Sequence, residues 1–291
     1  MSQKVQILKQ NIESRRYRSP GLPEGIPYRY VFLFWLEGAA MTLKQFFVEN
    51  PRVALAFSGG VDSAFLLWAG VKAGAEVRPY FARTPFQPEF ELDDARRLCA
   101  RLGVELAVME FDILTVPRIA SNPPDRCYHC KRQIFSRLRE RSLADGFSLL
   151  LDGTNASDDA EDRPGMRALR ELEVRSPLRE CGLTKERIRE LSRQAGLFTW
   201  DKPSYACLAT RVPAGRIITR EDLKRVEQGE ELLSGLGLRD FRLRLTAEGC
   251  RLQVLEGQFS LTLERRKEIL AGLSPLFSEI VLDLKPRISI D

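Results

Sequence analysis

The chain has 291 residues, 44% of them hydrophobic and 29% charged, with a formal net charge of +5. This composition excludes a mainly disordered chain, which would be poorer in apolar residues, and allows one large domain or two small ones around a sizeable core. It also argues against a membrane span: the most apolar early run, Tyr30 to Ala40, is short and is broken by Glu37, whereas a span needs roughly 20 apolar residues.

Residues 1–40 differ from the rest of the chain. They hold Pro20, Pro23 and Pro27, six basic residues against three glutamates, and no sustained period. They are expected to be a poorly packed extension, with Met41 as an alternative natural start. The first 30 residues offer no continuous apolar stretch for a cleavable signal, so a cytoplasmic protein is expected. Its six cysteines then read as reduced thiols or metal ligands rather than a disulfide frame.

From Thr42 the chain alternates. A helix is predicted to Glu49, then an apolar strand, Val53 to Phe57, of the kind buried in a parallel sheet. A helix from Ser63 to about Ala73 comes next, then a strand over Glu76 to Arg83. The next helix, Glu89 to Leu102, ends on Gly103 at a C-cap position. Val104 to Phe111 is a third strand, Cys130 to about Ala144 a helix, Ser148 to Leu151 a fourth strand and Thr184 to Ala195 a helix. The alternation predicts an α/β, doubly wound parallel-sheet domain over residues 41–204. The texture changes after Gly215. A capped helix, Thr219 to Ser234, precedes a hairpin of Phe241 to Thr246 and Cys250 to Leu255. A helix, Leu261 to Leu273, and a strand, Glu279 to Leu284, complete a small α+β unit over 205–291.

The most informative segment is Ser58-Gly59-Gly60-Val61-Asp62-Ser63, between an apolar strand and a helix. Backbone N–H groups at a helix start make an anion site there. Gly59 and Gly60 admit close approach and positive φ. Ser58 and Ser63 supply hydroxyls, and Asp62 implies a magnesium ion between carboxylate and phosphate. The loop lacks the Lys-Ser/Thr ending of a Walker loop. It resembles the PP-loop of the ATP pyrophosphatase superfamily, whose members transfer AMP to a substrate oxygen.

Cys127 and Cys130 are spaced to reach one metal or cluster, and Cys207 follows a Pro-containing loop that can return to the active face. Three thiolates on a [4Fe–4S] cluster leave one iron open to exogenous sulfide. A zinc site completed by Cys181 or His129, and a metal-free site with Cys207 as sulfur carrier or donor, are the alternatives. Cys99 and Cys250 read as core residues. His129, the only histidine, is not a convincing general base.

Together these residues resemble the LarE-type ATP-dependent sulfur transferases, which make the nickel-pincer nucleotide cofactor. The resemblance spans about 41–254. It is carried by Ser58 to Ser63, Arg126 to Lys131, Leu151 to Asn155, Arg163-Pro164-Gly165, Ser176 to Leu178, Trp200 to Pro203, Ala206 to Leu208 and Arg242 to Arg244. It implies adenylation of a carboxylate of pyridinium-3,5-biscarboxylic acid mononucleotide, then sulfur insertion to give the thiocarboxylate. It places Cys207 at the position of the sulfur-donating cysteine, and Cys127 with Cys130 puts the chain among the cluster-bearing members. Cys207 and Asp62 are the expected catalytic residues. ATP is expected on Ser58 to Ser63, Gly153 and Asn155, with Asp152 and Asp158 for magnesium or nucleotide.

Arg242 and Arg244 alternate on a strand and share a face, which with Arg211 suits a substrate phosphate. Glu230 matches an acidic position of the family and is a further magnesium or substrate candidate. Gln253 stands where an acid is common, and Ala214 where Tyr is common. The resemblance also implies a homo-oligomer, a hexamer, supplied by sulfide or a sulfur-donor protein. A tRNA thiolase is the first rival, opposed by the small positive charge outside residues 1–40. A non-enzymatic nucleotide- and cluster-binding protein is the second.

Overall fold

The computed structural model describes residues 42–158 and 164–288. The expected 1–40 extension, and Arg163 of the family-like motif, lie outside those residues. A capping box opens the described chain: Thr42 accepts from the Gln45 backbone N–H, and Gln45 answers at the Thr42 N–H. Helix α1 then runs over Leu43–Glu49.

The first sheet has four strands in the order β3-β2-β1-β4. Strand β1 is Arg52–Ala56, β2 Glu76–Arg83, β3 Ala107–Glu110 and β4 Leu150–Leu151. All pairings are parallel, with Val53 beside Val77, Tyr80 beside Ala107 and Leu55 beside Leu151. Helix α2, Val61–Lys72, joins β1 to β2, and α3, Glu89–Leu102, joins β2 to β3. Gly103 closes α3 at φ 68°, a left-handed C-cap that glycine takes without strain. Helices α4, Arg126–Ala144, α5, Pro164–Glu171, and α6, Lys185–Gln194, come after β3. This is the expected α/β parallel-sheet architecture.

Several boundaries differ from the sequence reading. Helix α4 starts at Arg126, a turn before the expected Cys130, so Cys127 and Cys130 both lie near its start. The bond from Tyr128 N–H to the Asp125 carbonyl starts this turn directly after Pro123-Pro124. Strands β3 and β4 are shorter than expected, although Phe111 N–H still donates to the Arg83 carbonyl of β2 and the Leu149 carbonyl still accepts from Ala54 of β1.

A second sheet has the order β5-β6-β7. Strands β5, Arg242–Leu245, and β6, Cys250–Gln253, are antiparallel with Arg242 opposite Gln253, and β7, Ile280–Leu282, runs parallel to β6. Helix α7, Arg220–Gly235, is capped by Thr219, whose hydroxyl accepts from Asp222 N–H. The expected helix over Leu261 to Leu273 is two pieces, Phe259–Glu264 and α8, Arg266–Leu273, divided at Arg265. One buried apolar cluster runs from Ala54 and Tyr80 of the first sheet through Leu208 and Ala209 to Leu243, Leu252 and Phe277. Among the described residues, no helix is long and apolar enough to cross a membrane.

Gly249 ends the β5–β6 turn where a Cβ would lie 2.1 Å from the Glu279 carbonyl oxygen. That carbonyl accepts from Cys250 N–H and registers β7 on β6. Gly249→Ala is therefore expected to destabilise the protein by about 1–3 kcal/mol, as overpacking does. Urea unfolding would measure the loss, and amide exchange at Cys250 would locate it.

Candidate active site

The site is built where β1 stops and α2 begins. Gly59 sits at φ +72°, and a Cβ there would lie 2.8 Å from the Glu91 carbonyl oxygen in the first turn of α3. Only glycine satisfies both demands. The loop is held by its own serines: the Ser58 and Ser63 hydroxyls lie 3.1 Å apart, and Ser58 N–H donates to Ser63 Oγ at 3.3 Å. Gly60 occupies the N-cap of α2 and offers no side chain to its first-turn N–H groups. The positive end of the helix is thus left for an external anion.

The end of β4 closes on this loop. A Cβ on Gly153 would come within 3.0 Å of Ser63 N, so the loop after β4 reaches α2 only with glycine there. Asn155 Nδ2 donates to Asp62 Oδ1 at 3.3 Å, and Asn155 N–H donates to Asp158 Oδ2 at 2.9 Å. Asp152 is buried and accepts from Ser176 Oγ at 2.6 Å and from the Thr154 hydroxyl. Lys185 Nζ meets Asp62 Oδ2 at 2.6 Å. Burial nevertheless holds the Asp62 carboxyl above its ordinary range, with Lys185 opposing and Asp158 adding to the rise.

The three cysteines come from two elements. Cys207 immediately precedes a short 3-10 helix, Leu208–Arg211, whose Leu208 N–H is bonded to the Phe86 carbonyl at 2.8 Å. The Arg126 guanidinium joins this segment to α4. It donates to Asn122 Oδ1 and the Ala209 carbonyl, both at 2.8 Å, and lies 3.6 Å from Cys127 Sγ. Burial pushes the Cys130 thiol up to about 12, with Cys207 and Cys127 adding and Arg126 opposing. Burial raises the Cys207 thiol too, against Arg126, with Cys127 adding to the rise. The three thiols therefore share one electrostatic environment. As they stand, no three His, Cys, Asp or Glu side chains among the described residues converge as a ready metal site. Cys181 is raised by burial and by Glu180, with none of the trio acting on it, while Cys99 and Cys250 are buried in the core. His129 Nε2 is 2.9 Å from Asp125 Oδ2.

Two clefts flank the cysteines. One, of about 710 Å³, is lined by the phosphate loop, Asn155, Asp158, Lys185, Lys202, Tyr205 and Cys207. The other, of about 590 Å³, carries Cys127, Arg126, Arg211, Arg244 and Arg251, with no carboxylate in its wall. The arrangement can activate an anion-bearing ligand in the first cleft within reach of a thiol, and can receive a second anion beside Cys127.

No family model matches the chain. It is 31% identical over 248 residues to the pyridinium-3,5-bisthiocarboxylic acid mononucleotide synthase of Lactiplantibacillus plantarum, across 84% of this chain and 89% of that relative. The chain belongs to the LarE-type sulfur transferase family. An uncharacterised protein of Synechocystis sp. is 34% identical over 220 residues, 75% of this chain and 82% of the relative. A tRNA-specific 2-thiouridylase of Clostridium acetobutylicum is 26% identical over 220 residues, 62% of each chain. The parallel sheet and its glycine loop form a PP-loop domain.

Within this LarE-type chain, the expected phosphate residues separate. Arg211 is 1% exposed and pairs bidentately with Glu230, at 2.7 Å and 3.0 Å. Glu230 also accepts from Tyr205 OH and from Leu243 N–H. The two residues thus answer each other inside the protein. Arg242 donates to the Phe241 and Ser204 carbonyls, and burial lowers it to about 10. Arg244 alone of the β5 pair lines the basic cleft. Gln253 accepts from Arg244 Nε at 2.7 Å and donates to Asp283 at 2.9 Å, an amide bridge an acid could not make in full. Ala214 lies in the wall of the basic cleft. Sequence reasoning missed Lys185, Lys202 and Glu91, which only the fold brings to the first cleft. Lys202 stands in the Trp200 to Pro203 motif, but nothing in that motif gives its partner.

Removing Glu230 would leave the Arg211 guanidinium buried without a counter-charge. Glu230→Ala is expected to cost about 3–5 kcal/mol. A denaturant titration without any ligand would measure it, because the loss is structural.

Proposed function

We propose that the protein is an ATP-dependent sulfur transferase that adenylates a carboxylate of pyridinium-3,5-biscarboxylic acid mononucleotide and replaces the activated oxygen by sulfur. The observation that carries this reading is the single cleft in which the phosphate loop and Cys207 meet. The curated relative's name supplies the product, and the glycine loop supplies the means of activation.

ATP places its pyrophosphate on the Ser58 to Ser63 loop, where the uncapped N–H groups of α2 and the two serine hydroxyls receive its oxygens. Lys185 and Lys202 bring two cations to the same cleft. Asp62, Asn155 and Asp158 form an oxygen-rich group at its floor and fit a magnesium ion held jointly with the phosphates. Magnesium bound there would neutralise phosphate charge and align the α-phosphorus. The substrate carboxylate then attacks that phosphorus, the O–P bond to pyrophosphate breaks, and the carbonyl carbon acquires AMP as a leaving group.

The substrate's own phosphate is assigned to the basic cleft, with Arg244 and Arg211 in its wall. Cys127 lines the basic cleft and Cys207 the first. Three thiols, Cys127, Cys130 and Cys207, are the donor set of a [4Fe–4S] cluster, and they would have to draw together to hold one, because as they stand they do not converge as a metal site. Cys130 and Cys207 are raised by burial and by their neighbouring thiols, and Arg126 ties the two elements together, so a cation has protons to displace. A cluster bound there would supply a sulfur carrier that need not consume the chain. In this reading residues 41–204 activate and residues 205–291 receive substrate and mediate assembly as a homo-oligomer. Sulfide or a sulfur-donor protein is the source, and the setting is cytoplasmic.

The first test is iron and acid-labile sulfide content with an absorption spectrum on anaerobically purified protein, beside Cys207→Ala. About four irons per chain, lost in the variant, are expected. No iron after reconstitution would replace the cluster by Cys207 as a sacrificial donor, seen as loss of one H₂S in the protein mass. Asp62→Asn is expected to reduce substrate-dependent pyrophosphate release about 100-fold or more. Release of pyrophosphate with tRNA but not with the mononucleotide would favour the tRNA-thiolase alternative.

A further inference from the structure

Sulfur transfer produces a proton that the residues assigned so far do not accommodate. When sulfur arrives as hydrosulfide, its S–H proton must leave before a thiocarboxylate anion stands free. The carboxylates of the first cleft are Asp62, Asp158 and Glu91. Asp62 is engaged by Lys185 and Asn155, and Asp158 by the Asn155 backbone. The thiols themselves are poor acceptors, because Cys130 and Cys207 are held protonated by burial.

Glu91 is different. It lies in the first turn of α3, the turn that packs on Gly59 of the phosphate loop. It lines the cleft that holds Cys207, and unlike Asp62 it is not clamped by a lysine at hydrogen-bond distance. Charged neighbours surround it on each element packed against it: Asp94 on its own helix, Lys202 on the loop before Cys207, and Arg211 after it. Tyr205, which feels Glu91, has its hydroxyl committed to Glu230.

We propose that Glu91 is the general base of the sulfur-transfer half-reaction, taking the S–H proton as the C–S bond forms and AMP leaves. Atoms and charges balance: sulfur donates an electron pair to the acyl carbon, the C–O bond to AMP breaks, and the proton passes to the Glu91 carboxylate and then to solvent. Adenylation has no such proton, since the attacking carboxylate carries none. The inference rests on the sulfur-transfer reading, and it divides the cleft between two steps. Burial, countered by Lys202 and reinforced by Asp94, pushes the Glu91 carboxyl up to about 7, which suits a base working near neutrality. No cysteine is among the charges that set this value.

The test separates the two half-reactions in single turnovers of the full chain with ATP and the biscarboxylic mononucleotide, using sulfide as the donor. Pyrophosphate and thiocarboxylate are quantified as a function of pH. At a fixed hydrosulfide concentration, held because H₂S itself ionises at about pH 7, thiocarboxylate formation by the parent protein should rise through about pH 7, as Glu91 ionises. Glu91→Gln should cut that step about 100-fold and erase the limb, while pyrophosphate release changes by no more than a few-fold. Glu91→Asp should recover part of the rate and show a displaced limb, which mere packing would not produce. Equal losses in both half-reactions, or a Glu91→Gln variant with parental rate and pH profile, would overturn the assignment of Glu91 while leaving the sulfur transferase reading intact. A parent protein that releases pyrophosphate without forming thiocarboxylate would overturn both.

Discussion

The buried Arg211–Glu230 pair is the contact on which the cysteine side of the site depends. Two charges removed from water are costly unless every donor and acceptor is used. Here Glu230 accepts from Arg211 Nε and Nη2, from Tyr205 OH and from Leu243 N–H. Arg211 directs its remaining Nη1 to the Ala206 carbonyl and the Thr210 hydroxyl. One pair thus fixes the Tyr205 to Arg211 segment, helix α7 and strand β5 in a single geometry. An apolar replacement of equal volume could match its stability, but not the direction it imposes on the backbone around Cys207. Arg126 then carries that direction to α4, where Cys127 and Cys130 stand.

The phosphate side depends on close approach instead of charge. The sharp turn at Gly59 lets the start of α3 press on the loop, and Gly153 lets the end of β4 press from the other side. Both contacts are backbone against backbone. They leave the α2 N-terminus exposed between two walls without a capping side chain, which is the condition for binding an anion there. The polar chemistry of the cleft is set by which helices these contacts bring near: α6 delivers Lys185, and α3 delivers Glu91.

Several of these features are legible in the sequence because they are local. Ser58 to Ser63 announces itself by the apolar strand before it and the helix after it. The span of β2 and the Gly103 cap come from apolar pattern and a glycine at the right distance. The start of α4 was not legible, because Asp125 caps without a side-chain bond and the two prolines read equally well as a loop. The roles of long-range partners were hidden for a more basic reason. Nothing local states that Lys185 will meet Asp62, 123 positions away along the chain. Nor does alternation on β5 say that Arg244 will stand in a cleft while the Arg242 guanidinium turns inward to the Ser204 carbonyl. Period gives a face; only the fold gives what the face meets.

Each lysine of the first cleft is paired with a carboxylate, and those pairs say what an incoming ligand must offer. Lys185 rests on Asp62, and Lys202 rests on Asp94 while donating to the Gly59 carbonyl. Each lysine is thereby kept ordered at the edge of the phosphate loop. A triphosphate with its divalent cation offers both members of the Lys185–Asp62 pair a stronger partner, the metal for the carboxylate and the phosphate oxygens for the ammonium. The pair therefore exchanges one set of charge contacts for another, with no group left buried and uncompensated. Cys130 and Cys207 obey the opposite rule. They are neutral because they are buried, and they become anionic only when something positive replaces their protons. The phosphate loop and the buried thiols thus respond to different charges in neighbouring parts of the fold.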